Sequence, residues 1–430
     1  MRLTVRGGRV VDPASGIDRV ADLHVAKGRV VGLGDLPEGF TADRVVDAAG
    51  LVVCPGLVDL RARLREPGLE TKTTIAQETR AAAAGGITTL CCPPDTEPVV
   101  DTRAVVELIH QRAARAGMAR VEVVGALTQG LQGQRLAEMG GLQKAGCVGV
   151  GNASQPVTST EVMRLAMQYA ATFGLTVFLE PQDPWLSAGR NAHDGAMATR
   201  LGLSGAPECA ETVALARDLL LVEATGVRAH FGHLSTARGV QMVAEAQARG
   251  LPVSADVGVH HLYLTDADLS GFDARCHVSP PLRTGADRGG LRAGVARGVL
   301  GAVTSDHQPH EVDAKQNPFG ATDVGISGLE TLLPLVLRLV AEGVTDLSGA
   351  LAAVTSGPAR ILGLDRGTLA PGRVADLCVF DPEARWLVTE ESLVSRGHNT
   401  PFLGWEMKGR VVCTLLAGRV VFERPPAPGR

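Results

Sequence analysis

Between about residue 55 and residue 360, short apolar runs alternate with alanine-rich amphipathic segments. The runs include "GITTLCCPP", "RVEVVGALT", "CVGVGN", "LTVFLEP", "RAHFGHLS", "LPVSADVG" and "GAVTSDHQPH". Segments such as "TIAQETRAAAAGG", "TEVMRLAMQYAATFG", "CAETVALARDLLLVEATG" and "ARGVQMVAEAQARG" lie between them. The first kind reads as buried strand and the second as helix. Strands separated by helices form a parallel sheet. About eight such units over roughly 300 residues predict a (β/α)8 barrel of the TIM type. In that architecture function sits at the C-terminal ends of the strands. The polar residues that end these runs are therefore the informative ones.

The two ends of the chain have a different texture. "RLTVRGGRVVD", "VADLHVAKGRVVGLG" and "RVVDAAGLVVCPG" read as short strands with tight turns, and so do "GTLAPGRVADLCVFDP" and "GRVVCTLLAGRVVFE". Gly-Gly and Lys-Gly mark hairpins. "GRVV" recurs at 8–11, 28–31, 409–412 and 418–421 and reads as a hairpin exit. The expected organisation is one composite β domain from residues 1–53 and 361–430, with the (β/α)8 barrel at 54–360 between its halves. The tail "ERPPAPGR" is expected to be a disordered end.

Charge and cysteine usage narrow the function classes. The net charge is −4 with no long basic run, so nucleic acid and anionic membrane are poor default partners. No uncharged apolar stretch approaches the ~18 residues of a membrane span. The N-terminus lacks the apolar core of a signal peptide. Eight cysteines, none in a CxxC pair, sit mostly in apolar runs. That suits reduced core residues in a reducing cytosol, so a cytoplasmic protein is expected.

"PGLVDLRARLREPG" at 55–68 raises the sharpest question. Its apolar run ends at Asp59, and Arg61, Arg63 and Arg65 follow at alternate positions. In a strand, residues two apart point to the same side. Three guanidinium groups are thus expected in a row, where many hydrolases carry Asp-x-His-x-His to hold a metal.

With "AAAAGGITTL" at 81–90, "HFGHLSTA" at 230–237, "HHLYLT" at 260–265, "SPPLR" at 279–283, "SDHQPH" at 305–310, "GISGLE" at 325–330 and "NTPFLGWEMKGRVV" at 399–412, the chain resembles a class I dihydroorotase of the amidohydrolase superfamily. The resemblance runs almost end to end. It implies a barrel whose active members open or close the dihydroorotate ring in pyrimidine biosynthesis. It also implies a two-zinc centre, in which paired cations lower the pKa of a bridging water and polarise the amide carbonyl.

Residue by residue, the resemblance diverges at that centre. Arg61 and Arg63 stand where two histidine ligands are expected. Asn152 and Ala153 stand in place of an acidic pair that supplies the bridging ligand, and no lysine offers a carbamylated substitute. Glu180 stands where another histidine is expected. His233 and Asp306 match ligand positions. Arginine keeps its proton and has no lone pair for a metal. No metal is therefore expected, with His233, Asp306 and Glu180 as residual candidates for one Zn²⁺. Asp306 matches the catalytic acid/base of active relatives and is read here as a buried ion-pair partner. Arg61 and Arg63 are expected to neutralise Asp306 and Glu180, because an unpaired buried carboxylate is costly.

Arg65 and His310 match substrate-contacting positions. Asp95 and Ser279 each replace a family Asn, and a carboxylate at Asp95 would repel anionic dihydroorotate. Arg65 could instead pair with Glu66, Asp95 or another local acid. His260 and His261 read as packing and loop-anchoring residues, His230 as facing away from the centre, and Glu70, Lys72 and Asp101 as surface charges.

Three functions follow from the resemblance and these residues. The favoured one is a non-catalytic dihydroorotase-like subunit that assembles with aspartate carbamoyltransferase into an oligomer and stabilises it. The second is an active dihydroorotase, or a related cyclic-amide hydrolase, using one zinc at Glu180, His233 and Asp306. The third is a barrel that senses an anion through Arg61, Arg63, Arg65 and His310 without chemistry.

Overall fold

The computed structural model describes residues 2–425, and the expected disordered tail falls largely on 426–430, outside the described residues. Eight parallel strands form the central sheet in chain order. They are β1 (Leu57–Asp59), β2 (Ile87–Cys92), β3 (Arg120–Ala126), β4 (Cys147–Gly151), β5 (Thr176–Leu179), β6 (Ala229–Phe231), β7 (Val253–Gly258) and β8 (Ala302–Thr304). Eight principal helices cover it: α1 (Ile75–Ala84), α2 (Arg103–Ala116), α3 (Met139–Lys144), α4 (Thr160–Thr172), α5 (Cys209–Thr225), α6 (Ala237–Ala248), α7 (Gly285–Ala296) and α8 (Leu332–Ala341). β1 and β8 close the barrel just beyond their ends, through the Ala62–His307 bridge and the Arg63 N to His307 O bond of 2.9 Å. This is the (β/α)8 barrel that the alternating pattern predicts.

Helix α1 illustrates how local sequence sets the frame. Thr74 caps it by accepting from Gln77 N at 3.3 Å. Ala81 to Ala84 are all buried, so small side chains let the helix lie close against the barrel. Gly86 follows at φ 81°, and a Cβ there would come within 2.5 Å of Cys378 Sγ. Glu78 is fully buried on the same helix. It accepts from Thr73 at 2.5 Å and Ser395 at 2.8 Å, and lies 2.9 Å from His307 Nε2. A charge so placed is tolerable only because it is bonded on every side.

A second sheet joins the two ends of the chain. Strand Arg2–Asp12 pairs antiparallel with Ile17–Ala26 and parallel with Arg44–Asp47 and Val52–Pro55. Val52–Pro55 also pairs with Leu377–Leu387, which continues through Glu406–Leu416 to Arg419–Glu423. Leu3, Val5, Leu23, Leu377 and Leu415 share a separate core there. The four "GRVV" segments divide into two kinds. Those at 28–31 and 418–421 leave hairpins, with Lys27, Gly28, Ala417 and Gly418 at positive φ. Those at 8–11 and 409–412 lie inside strands at register shifts. At those two places glycine relieves a bulge, not a turn.

The eight cysteines are free thiols, and Cys209 alone among them is exposed. Among the described residues, no helix is long and apolar enough to cross a membrane.

Candidate functional site

Asp59 ends β1 fully buried, accepting from Ser305 N at 3.0 Å and from Ser305 Oγ. Burial raises its carboxyl to about 6 despite those bonds. Beyond Asp59 the chain leaves the sheet, yet the bridge to β8 keeps Arg61 and Arg63 inside the barrel mouth. Both are buried. Arg65 breaks the expected row. At φ 61° it turns aside, donates from Nε to Pro309 O at 3.1 Å, and brings Nη2 to 3.0 Å from His310 Nε2. Its partners are thus neither Glu66 nor Asp95. Glu66 instead accepts from Ile75 N at 2.7 Å and pairs with Arg112.

Arg61 lies between two acids. Its Nη1 donates to Glu180, and its Nε is 3.4 Å from Asp306 Oδ1. Arg63 donates from Nε to Asp95 Oδ2 at 2.7 Å, with Nη1 3.9 Å from Asp306 Oδ1. The approaches to Asp306 are ion pairs without hydrogen bonds, since Arg61 Nε and Arg63 Nη1 have no hydrogen-bond partner. Ser154 ties the group together. Its Oγ accepts from Arg61 at 3.3 Å and Arg63 at 3.1 Å, and donates to Glu180 Oε2 at 3.0 Å. Gln308 donates to Asp306 Oδ1 at 3.1 Å. The sequence Glu180–Arg61–Asp306–Arg63–Asp95 therefore runs across the loops after β5, β1, β8 and β2, and Ser154 adds the loop after β4.

Electrostatics within this chain follow burial and pairing. Burial raises the Asp306 carboxyl to about 6, with Arg61 and Arg63 pulling it down. Burial works against Asp95 too, but Arg63 and Arg61 outweigh it and hold Asp95 below the usual carboxylate range. Burial opposes the charge on Arg61, and Glu180 and Asp306 overcome it, so its pKa rises. His233 sits at φ 58° with Nδ1 3.7 Å from Asp306 Oδ2. Burial, then Arg61 and Arg63, push its imidazole well below its usual value, so the ring is neutral. The buried Nδ1 has no hydrogen-bond partner.

The other sequence-selected residues occupy varied positions. Asn152 binds neighbouring loops: it accepts from Thr128 Oγ1 at 2.7 Å and donates to Leu131 O and Gln155 O at 3.1 and 2.8 Å. Ala153, at φ 47°, helps to wall a small cavity with Arg61 and Glu180. His310 Nδ1 is 2.9 Å from Lys72 Nζ, and its backbone N donates to Asn399 at 2.9 Å. Burial, then Arg65 and Lys72, lower its imidazole to about 3. Lys72 is thus no simple surface charge. It reaches inward because His310, Asp323 and Glu311 surround its ammonium group.

His230 does not face away. It points into the barrel, with Nε2 2.9 Å from Asp256 Oδ2, and Asp256 Oδ1 accepts from His233 N at 2.8 Å. His260 packs tilted against His261, 4.4 Å between ring centroids, with no hydrogen-bond partner on either ring nitrogen. His261 Nε2 is 3.2 Å from Pro280 O and ties that loop.

An open cavity of about 250 Å³ lies at the mouth, lined by Ser154, Glu180, Gln182, His233, Ser279 and neighbouring prolines. Arg65 and His310 do not line it. Among the described residues, no three His, Cys, Asp or Glu side chains converge as a metal-holding group. Sequence reasoning missed Ser154, Gln308 and the Glu78–His307 pair. A serine in "GNASQP" and a glutamine in "SDHQPH" carry no signal until the loops are folded together.

Comparison with known proteins gives a consistent picture. Residues 50–238 match the family described as Dihydro-orotase-like, and residues 313–422 match an Amidohydrolase family. The chain is 53% identical to a "Dihydroorotase-like protein" of Pseudomonas aeruginosa, over 98% of this chain and 100% of that one. It is 44% identical to a "Dihydroorotase" of Geobacter sp. (strain M21), over 98% and 100%. Among solved structures, it is similar to an L-hydantoinase (dihydropyrimidinase) from Arthrobacter aurescens. The TM-score is 0.87 at 26% identity, covering 98% of this chain and 96% of that one.

Proposed function

Because the chain belongs to the dihydroorotase-like family of amidohydrolase barrels, we propose that it is a non-catalytic member of that family. In this reading it serves pyrimidine biosynthesis in the cytoplasm as a structural subunit that associates with aspartate carbamoyltransferase. The observation that carries the reading is the pair of guanidinium groups set against Asp306, with Glu180 and Asp95 at their outer sides.

Members of the family generally use zinc, and the residues at this mouth do not suit it. Arg61 and Arg63 offer no lone pair. A divalent ion about 4 Å from a guanidinium is repelled by roughly 8 kcal/mol at an effective dielectric near 20, and two guanidinium groups are present. Asn152 is committed to loop contacts. Glu180 and Asp306 already have cationic partners. Support for a structural role comes from the intact scaffold: the barrel closes, and the "NTPFLGW" segment still braces the loop after β8 through Asn399. The partner follows from the family resemblance.

Two measurements on one zinc-supplemented preparation test this: metal content, and turnover of dihydroorotate and of carbamoyl aspartate. The expected result is less than about 0.1 metal per chain and no turnover, with co-purification of the aspartate carbamoyltransferase of the same organism. Bound zinc with turnover that disappears in Asp306→Ala would replace the reading with that of a mononuclear hydrolase.

A further inference from the structure

Two of the eight cysteines face each other across the second sheet. Cys54 lies on Val52–Pro55 and Cys378 on Leu377–Leu387, and these antiparallel strands place the two residues as direct partners. Gly56 N donates to Asp376 O at 2.8 Å, two residues away on each strand, so the Cys54–Cys378 position is a hydrogen-bonded pair as well. Cα atoms at such a position are about 5.5 Å apart. That lies within the roughly 4.4–6.8 Å that a disulfide spans.

Side-chain direction agrees. Val52, Cys54, Cys378 and Phe380 belong to the core on the barrel side, whereas Val53, Leu377 and Val379 belong to the separate core of the β domain. Both thiols therefore leave the sheet on one side. A hydrogen bond between them, then burial, raise the Cys54 thiol well above its usual value. Other cysteines are placed differently. Cys413, opposite Val379 on the next strand, turns to the other face. The consecutive Cys91 and Cys92 of β2 point to opposite faces.

The position of the pair in the chain gives it a consequence. Cys54 stands three residues before β1, and Cys378 is on the strand that carries the chain back from the barrel. A bond between them would join both ends of the barrel and close a loop that contains all of it. The two thiols are fully buried, so a reagent reaches them only when the sheet opens.

We infer that Cys54 and Cys378 are a redox pair, a latent staple between the two ends of the barrel, which a low-molecular-weight disulfide such as oxidised glutathione closes when the sheet opens. One cysteine gives up its proton, attacks the reagent and forms a mixed disulfide, releasing one reduced thiol. The facing cysteine then displaces the second. One reagent disulfide becomes two thiols, which take up the two cysteine protons, and one protein disulfide is formed. A reducing cytosol keeps the pair as a dithiol, and burial shields whichever state has been set. The inference is independent of the partner reading above.

The test uses the full chain, folded and reduced. It is incubated with oxidised glutathione in buffer and in urea just below the unfolding midpoint, trapped by alkylation, and mapped by peptide mass spectrometry. In urea, one linkage is expected in most molecules, Cys54 to Cys378. In buffer over the same time that pair stays reduced, while the exposed Cys209 takes up glutathione. The linked form should melt roughly 5 °C above the reduced one, because the loop it closes is long. Cys54→Ala should abolish the linkage and Cys413→Ala should leave it. If both cysteines stay reduced in urea, if other cysteines link instead, or if the linked form melts below the reduced one, the pair is not a staple. Linkage as fast in buffer as in urea would overturn the gating by sheet opening.

Discussion

Arg61→Met removes the central cation of the mouth while keeping a similar side-chain volume. Arg61 is only 10% exposed at its side chain, and its partners Glu180 and Asp306 are 17% and 2% exposed. Removing one member of a buried ion pair costs about 3–5 kcal/mol. Here each acid keeps some support. Glu180 retains Ser154, and Asp306 retains Gln308 and the more distant Arg63. The lower end, about 3 kcal/mol, is therefore expected at pH 8. The cost should shrink in acid. Burial lifts the Asp306 carboxyl to about 6, above its unfolded value of 3.8. The unfolded chain thus releases that proton first, and stability falls as pH rises from about 4 to 6. Without Arg61 the folded carboxyl holds its proton to still higher pH, which extends the falling limb upward. At pH 5 the acid is already neutral in both proteins, and about 1–2 kcal/mol should remain. Urea unfolding of parent and variant at pH 5 and pH 8 reads both numbers. A loss below about 1 kcal/mol at pH 8, or an equal loss at the two pH values, would mean that Arg61 is not an internal tie to Asp306.

Other expectations concern the residues around that tie. Ser154→Ala should cost about 1–2 kcal/mol in urea unfolding, because one hydroxyl serves Arg61, Arg63 and Glu180; a neutral result would make those contacts dispensable. Asn399→Ala frees His310 N, Gln308 O and Gly325 O together. It should cost about 2–3 kcal/mol and speed hydrogen exchange at the His310 amide, whereas unchanged exchange would deny it the bracing role. Glu330 has its carboxyl raised to about 7 by burial, although it accepts from Ser395 N and Val394 N. Stability should therefore fall as pH rises from about 4.5 to 7, by on the order of 2 kcal/mol. Glu330→Gln should flatten that slope, and an identical pH profile would count against the assignment.

How far the sequence reveals this molecule depends on the range of the interaction concerned. The barrel was legible because each strand and helix announces itself by period within about ten residues. Two arginines entering the mouth were legible too, since Arg61 and Arg63 share a parity after Asp59. Arg65 shares that parity and still turns away, because its φ of 61° is a local choice that only the surrounding loop dictates. The same limit hid Ser154. It follows Ala153, a left-handed residue without glycine to signal it, and its three partners are at least 26 positions distant. His230 was misjudged for a different reason. It and His233 straddle the point where β6 ends and the backbone takes φ 58°, so counting residues along an assumed strand gives the wrong side. Lys72 reads as a solvated charge until His310 and Asp323, more than 230 positions away, are brought to it.

Charge balance at the mouth explains why the divergent residues belong together. Arg61 touches both Glu180 and Asp306 but balances only one of them. Arg63 adds a second guanidinium about 4 Å from the same Asp306 oxygen, and whenever Asp306 holds its proton, Arg63 would be a buried positive charge without an acid of its own. Asp95 supplies the answer at 2.7 Å, at a position where the family resemblance leads one to expect Asn. Two guanidinium groups then face three carboxylates, and the odd acid is the most deeply buried. Asp306 resolves the excess by holding its proton up to about pH 6, so in mild acid the cluster is neutral. Arg63 and Asp95 are therefore one compensated unit. Asp95→Asn alone should destabilise the protein by about 2–4 kcal/mol at neutral pH, and adding Arg63→Met should recover more than half of that loss. Two losses that simply add in a double-mutant cycle would show that the pair is not coupled and that the balance lies elsewhere.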